Sequence, residues 1–222
     1  MLERLDGTTQ SETARVKLWR FMDFTKYVAM LHECALFFTR ADQLPDPFEG
    51  LIVKRQRRAR DQADPAERLR RRVFLSCWHQ NEHESAAMWR IYLSGEDGVA
   101  IRSSVQRLTS IFESAPEHVC MGAVRYLDYA HDHVPERHEL DPFFCKRSNF
   151  DYEREVRIAW PAARESHEPG RYLKTDLEQL IEQVVVSPSA EAWFEELVCS
   201  VTQRYGFKLP IAASSMNSTL DP

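Results

Sequence analysis

The sequence predicts an α+β domain, and three observations set that class. Its 222 residues suffice for one domain with a full core. A composition of 43% hydrophobic and 28% charged residues is the balance of a compact α+β or α/β globular domain. No internal repeat or low-complexity linker divides the chain. Residues 13–210 are therefore expected to form a single α+β domain, between a flexible arm at 1–12 and a C-terminal tail at 211–222.

The elements follow in order. Val16 to Phe21 has a strand pattern, and Thr25 to Glu33 a helical one with Thr25 as N-cap. Leu36 to Arg40 reads as a second strand. Asp42 to Gly50 is a stiff loop, because Pro45 and Pro47 fix φ and bias the residues before them away from helix. Pro65 is placed to start a helical piece. Val73 to Trp78 has the β-branched and aromatic composition of a buried strand; a polar turn at His79 to Glu82 and a helix from His83 to Tyr92 follow. That helix puts Ser85, Met88, Trp89 and Tyr92 on one stripe. Gly95 to Gly98 is a turn, Val99 to Arg102 a strand, and Val105 to Phe112 a helix started by Ser103 or Ser104. Val119 to Tyr129 is expected as one strand and Ala130 to Asp141 as a loop. A charged strand then follows Phe150, and helix, strand and helix are expected at Leu177 to Gln183, Val184 to Ser187 and Ala190 to Tyr205.

Charge and cysteine usage narrow the function classes. A net charge of −5 and a pI near 5.9 give no global drive toward nucleic acid. One cationic block exists, Lys54 to Arg72, with nine Lys or Arg residues against Asp61, Asp64 and Glu67. It fits either a solvated helix pair or a phosphate-facing surface, and its lack of aromatics argues against a single-strand stacking platform. Cys34, Cys77, Cys120, Cys145 and Cys199 are odd in number and far apart, the pattern of reduced thiols in a cytosolic protein. No basic leader precedes an apolar run and no window has the length of a membrane span, so a soluble, cytoplasmic chain without membrane partners is expected.

The chemistry concentrates at Tyr152-Glu153-Arg154-Glu155-Val156-Arg157-Ile158-Ala159-Trp160. In an extended strand this order sends Glu153, Glu155 and Arg157 to one face and Val156, Ile158 and Trp160 to the other. Two carboxylates about 7 Å apart raise each other's pKa, so the row needs a cation or ligand beside it, and Arg157 supplies one. A solvated strand face with a local salt bridge gives the same pattern. His79 and His83 have i, i+4 spacing without the His-Glu-x-x-His motif, and His131 to Glu139 are scattered in a loop, so no metal ligands are assigned. With seven glycines and neither Gly-x-Gly-x-x-Gly nor Gly-x-x-x-x-Gly-Lys-Ser/Thr, glycine-rich phosphate cradles are missing, as is the Gly-x-Ser-x-Gly elbow.

Trp19-Arg20-Phe21, Asp46-Pro47-Phe48-Glu49, Cys77-Trp78, Met88-Trp89-Arg90-Ile91-Tyr92 with Gly98, and Tyr152 to Arg157 together resemble an uncharacterised bacterial domain-of-unknown-function family, which names no reaction. More loosely, an early-strand arginine, a strand hydroxyl and a late Glu-x-Glu strand resemble the Arg, Ser, Glu layout of toxin-type ADP-ribosyltransferases. That resemblance implies a mixed, mostly antiparallel split sheet flanked by helices. It also implies NAD as substrate, a nucleic-acid or protein acceptor, and an antitoxin partner. It makes Arg20 the pyrophosphate clamp, Thr39 or Ser76 the ribose-positioning hydroxyl, Glu155 the catalytic carboxylate and Glu153 the acceptor-activating one. Asp46, Glu49, Trp89, Tyr92 and Arg157 complete the candidate cofactor-binding set. The Ser-Thr-Ser signature of that layout is replaced here by Thr39-Arg40-Ala41 or Ser76-Cys77-Trp78. Two other readings fit the residues. One is a metal-dependent nuclease or hydrolase using Asp46, Glu49, Glu153 and Glu155 around a divalent ion; the other is a non-enzymatic module in which Glu153, Glu155 and Arg157 form a structural network.

Overall fold

The computed structural model describes residues 2–5, 15–46, 48–50, 65–135 and 137–217. Twelve strands are present among them: β1 (Leu2–Arg4), β2 (Lys17–Asp23), β3 (Ala35–Arg40), β4 (Val73–Gln80), β5 (Gly98–Ser104), β6 (Val119–Ala123), β7 (Arg125–Leu127), β8 (Cys145–Arg147), β9 (Glu155–Pro161), β10 (Gly170–Lys174), β11 (Gln183–Val186) and β12 (Ile211–Ala213). The α-helices are α1 (Phe24–Glu33), α2 (Pro65–Arg70), α3 (Ala86–Tyr92), α4 (Val105–Ser114), α5 (Leu177–Leu180) and α6 (Ala192–Arg204). Strand pairing is mixed and mostly antiparallel, with helices flanking it, which is the α+β class expected.

The chain divides into two compact units. Of the described residues, the first takes in 2–5, 37–46, 48–50, 65–77, 114–135 and 137–172. Here β1 runs parallel to β6, β6 pairs antiparallel with β9, β9 neighbours β4, and β4 pairs antiparallel with β3. Strand alternation sorts the side chains. Leu75, Cys77, Cys120 and Ala159 take one face, where Leu140, Phe143 and Phe144 complete an apolar core. Phe38, Phe74 and Trp160 take the other and meet edge-on or tilted, with Trp160 5.9 and 6.2 Å from the two phenyl rings. Each fully buried phenylalanine contributes roughly 1.5–3 kcal/mol of apolar burial.

In the second unit β2 pairs antiparallel with β5 along its whole length, from Lys17 opposite Ser104 to Asp23 opposite Gly98. β5 in turn pairs with β11, which runs parallel to β12. Trp19, Phe21, Met88, Trp89, Ala100 and Val185 form its core. Tyr27 of α1 and Thr202 of α6 share a 2.7 Å hydroxyl hydrogen bond.

Several element ends differ from the sequence expectation, each for a local reason. The N-cap of α1 is Asp23 rather than Thr25, and the Asp23 carboxylate accepts from Ser94 N–H and Oγ instead of capping. The expected turn at His79 is still strand, because Trp19 and Leu18 pair with His79 and Gln80. The helix expected from His83 begins at Ala86, where Ser85 accepts from the Met88 N–H at 3.4 Å. Ser104, not Ser103, caps α4, accepting from Arg107 N–H. The single strand expected over 119–129 breaks at Val124: its N–H donates to Glu155 O, and the chain beyond pairs in parallel with β8. Leu2–Arg4, within the expected arm, is a strand.

Candidate active site

Five charged side chains of the first unit converge in its interior: Glu49, Lys146, Glu153, Glu155 and Arg157, none more than 6% exposed. Each arrives by a different device. Glu49 sits in the turn after Asp46, whose carboxylate accepts from Phe48 N–H; that turn closes on Gly50 at φ +71°, where a Cβ would meet the Phe143 ring at 2.4 Å. Phe48 is 47% exposed and lies under the Arg147 guanidinium at 4.7 Å. Lys146 comes from β8, following Cys145 and the buried Phe143-Phe144 turn.

Glu153 closes the 3-10 turn Ser148–Glu153, and Arg154 then adopts φ 41° and ψ 54°, the left-handed region, before β9 begins at Glu155. The pleated row expected from the sequence therefore starts at Glu155, and Glu153 precedes it. Glu155 and Arg157 do share one strand face, but that face is as buried as the one carrying Val156 and Ile158.

The geometry is a closed ion network. Lys146 Nζ donates to Glu153 Oε2 at 2.7 Å and Glu155 Oε1 at 2.9 Å, and lies 3.1 Å from Glu49 Oε1. Arg157 Nε donates to Glu155 Oε2 at 2.5 Å, and its Nη1 donates to Phe143 O and contacts Glu49 Oε2, both at 2.9 Å. Glu155 N–H donates to the Tyr126 hydroxyl at 2.7 Å. Three carboxylates face two cations, so protonating one glutamate makes the network neutral.

The electrostatics select Glu153 for that proton. Burial first, then a hydrogen bond and repulsion from Glu155, push its pKa up to about 8. Burial also opposes ionisation of Glu155, but the Arg157 charge and the hydrogen bonds it accepts hold it well below the usual range. Lys146 and Arg157 stay charged: burial disfavours the cations, and Glu155 more than offsets it. Burial and the Glu155 charge raise the Cys77 thiol, keeping it neutral.

The structure places the other sequence-derived candidates as follows. Asp46 is buried and paired with Arg147 at 3.1 and 3.3 Å, at the edge of the network. Thr39 lies directly opposite Leu75, hence on the face of β4 that carries Cys77, while Ser76 points to the opposite face. Between the two hydroxyls, Thr39 shares the face of Glu155 and Arg157. Arg20, Trp89 and Tyr92 belong to the second unit. There Arg20 lies 6.0 Å from the Trp78 ring, Trp89 is a core residue donating to Glu84 at 3.1 Å, and Tyr92 is a partly exposed end of α3. An open polar cleft of about 860 Å³ in that unit, lined by Arg15, Lys17, Arg107 and Glu182 among others, contains none of the candidates.

Sequence reasoning missed Lys146 and Tyr126. The legible signal for Lys146 was a charged residue directly after the apolar run Phe143-Phe144-Cys145; nothing in the sequence marks Tyr126. The described part of the cationic block is largely paired: Arg68 with Glu165 at 2.8 Å, Arg71 with Glu67 at 2.9 Å, and Arg72 Nε with Ala162 O at 3.1 Å. Residues 51–64, including Arg57 and Arg58, lie outside the described residues.

No protein-family model matches the chain, and no curated protein matches it significantly. Solved structures of Thermus sp. 2.9 DarT are similar to it at low identity. The complex with carba-NAD+ is 13% identical with a TM-score of 0.44, covering 89% of this chain and 94% of that one. The complex with NAD+ is 12% identical with a TM-score of 0.44, covering 95% and 100%. The complex with ADP-ribosylated ssDNA is 12% identical with a TM-score of 0.45, covering 91% and 96%. Among the described residues no helix is long and apolar enough to cross a membrane.

Proposed function

We propose that this protein is an NAD-binding ADP-ribosyltransferase-like enzyme whose chemistry uses the Glu153 and Glu155 pair. One arrangement carries the reading: two glutamates two residues apart are bridged by one lysine, with burial raising the pKa of Glu153 and the Arg157 charge lowering that of Glu155. Environments that drive paired carboxyls apart mark acid and base roles. An ionised carboxylate beside the nicotinamide ribose lowers the barrier to an oxocarbenium-like centre, the role of Glu155. Glu153, neutral until about pH 8, is the group that would activate an acceptor once deprotonated. Thr39 would position the ribose, being the hydroxyl on the same face.

The test is nicotinamide release from NAD by the full chain, with and without nucleic-acid or protein acceptors. Glu155→Gln should lose about 10²-fold or more in rate while keeping its fold by circular dichroism. Full turnover in that variant would end the reading. The clamp role that the resemblance gives Arg20 is tested separately, by the KM for NAD of Arg20→Ala. A nucleic-acid acceptor reached through the Lys54 to Arg72 segment would show as salt-dependent association, with the slope falling by roughly one per phosphate contact removed.

A divalent-metal nuclease built on the same carboxylates is disfavoured, because the Lys146 ammonium sits where such an ion would bind, 2.7 to 3.1 Å from three of them. A non-enzymatic module is favoured by one observation, the near-complete burial of the network. NAD that neither turns over nor raises the melting temperature would decide for it.

A further inference from the structure

A second cluster lies on the strand pair at the start of the first unit. β1 and β6 run parallel with Glu3 opposite Cys120, so their side chains leave the sheet on one face. His118 lies just ahead of β6, two residues before Cys120, with its ring turned to the same carboxylate. The result brings three different donors together. Glu3 Oε2 lies 3.5 Å from His118 Nε2 and 3.8 Å from Cys120 Sγ, and the donor atoms of all three lie within 4.8 Å of one another.

We infer that Glu3, His118 and Cys120 form a binding site for a zinc-class divalent cation that ties β1 to β6. Ligand bonds of about 2.0 Å from oxygen and nitrogen and 2.3 Å from sulfur, at tetrahedral angles, set donor-to-donor edges of roughly 3.3 to 3.6 Å. The two Glu3 distances fall within a few tenths of that range and the His118 to Cys120 edge is within 4.8 Å, so closure draws those two donors together. A thiolate, an imidazole and a carboxylate select Zn²⁺ over Mg²⁺ or Ca²⁺, which prefer all-oxygen shells. The thiol proton leaves to solvent on binding, and one thiolate with one carboxylate balances the dication. Glu3 and His118 are close to half exposed while Cys120 is buried, giving the ion an entry path and a core-anchored ligand.

His138 stands where such sites place their outer support. Its Nδ1 accepts from Leu140 N–H at 3.1 Å, which leaves the neutral ring's proton on Nε2, 3.8 Å from Glu3 Oε2. At that distance His138 makes no hydrogen bond to Glu3 but stands where a small shift of the carboxylate toward a bound ion would form one, and the fourth metal position is left for water.

The experiment uses the full chain, stripped with a chelator and titrated with Zn²⁺ or Co²⁺ alone. One ion per chain is expected by elemental analysis after dialysis at micromolar Zn²⁺, with a raised melting temperature. Bound Co²⁺ should show a thiolate charge-transfer absorption that Cys120→Ser abolishes. Because Cys120 is buried and that variant could unfold, the exposed His118→Ala carries the test as well: normal circular dichroism with at least tenfold weaker Zn²⁺ binding. His138→Ala should weaken binding by about tenfold while leaving the cobalt absorption in place. No retained ion in the unmodified protein would overturn the assignment. So would binding unaltered by His118→Ala, which would put the ion elsewhere, for instance on His131 and His133.

Discussion

Glu153 titrates where most carboxyls do not, and that gives it two separable signatures. Its pKa in the folded protein is about 8 against an ordinary 4.5, so between those values the native state holds a proton that the unfolded chain has lost. Its contribution to stability is therefore fully present below about pH 4.5 and lost as pH rises through about 8. Urea unfolding from pH 5 to 9 should show that decline, and Glu153→Gln, which cannot ionise, should flatten it. Under the proposed function the same proton acts with the opposite sign: transfer to an acceptor should rise through about pH 8 as Glu153 becomes a base, while NAD cleavage supported by an already ionised Glu155 should not. Lys146 is the other decisive residue. Lys146→Met leaves the buried Glu49 and Glu155 carboxylates and the Glu153 carboxyl around a methyl group and should cost about 3–5 kcal/mol at neutral pH. The loss should shrink in acid, where the glutamates protonate, and in the double variant Lys146→Met with Glu153→Gln.

Two short turns hold the network in register, and each rests on a positive φ. Arg154 is exposed and left-handed, so its side chain contributes no core packing and only its backbone conformation matters. Arg154→Gly should be neutral to stabilising, whereas Arg154→Val should cost on the order of 1–2 kcal/mol, because a β-branched residue resists that region. The two variants bracket the strain by chemical denaturation. Gly50 has the stricter constraint, since its φ of +71° is combined with a Cβ position 2.4 Å from the Phe143 ring. Gly50→Ala should lose roughly 1–3 kcal/mol and loosen Glu49 from Lys146 and Arg157. A variant as stable as the parent would show that the turn can give way without cost.

Charge on the molecule as a whole is modestly acidic, with a formal net of −5, so the local arginines must be judged by what already faces them. Arg68 and Arg71 are surface cations in ion pairs, and replacing both with Gln should move stability by less than about 1 kcal/mol. Arg72 is different. Its side chain donates to Ala162 O and its carbonyl accepts from Ala162 N–H, so Arg72→Gln should destabilise measurably where the surface pair does not. Melting curves of the two sets separate the cases directly.

Local pattern alone determined most of the strands and helices to within a few residues, and the gathering of charge at Glu153, Glu155 and Arg157, but it left β1, β8, β10 and β12 unread. The features it determined depend on side-chain period and residues adjacent in sequence, both of which can be read along one strand. Contacts across the chain required the tertiary structure. Glu49 meets Arg157 from 108 positions away and Glu3 meets Cys120 from 117, and no spacing encodes either pair. Whether a charged strand face lies in water or in a core was equally beyond the pattern, because the solvated and buried versions alternate identically. What decided it were Lys146, an ammonium delivered by a separate strand to the middle of three glutamates, and Arg157, which together offset the cost of burying them.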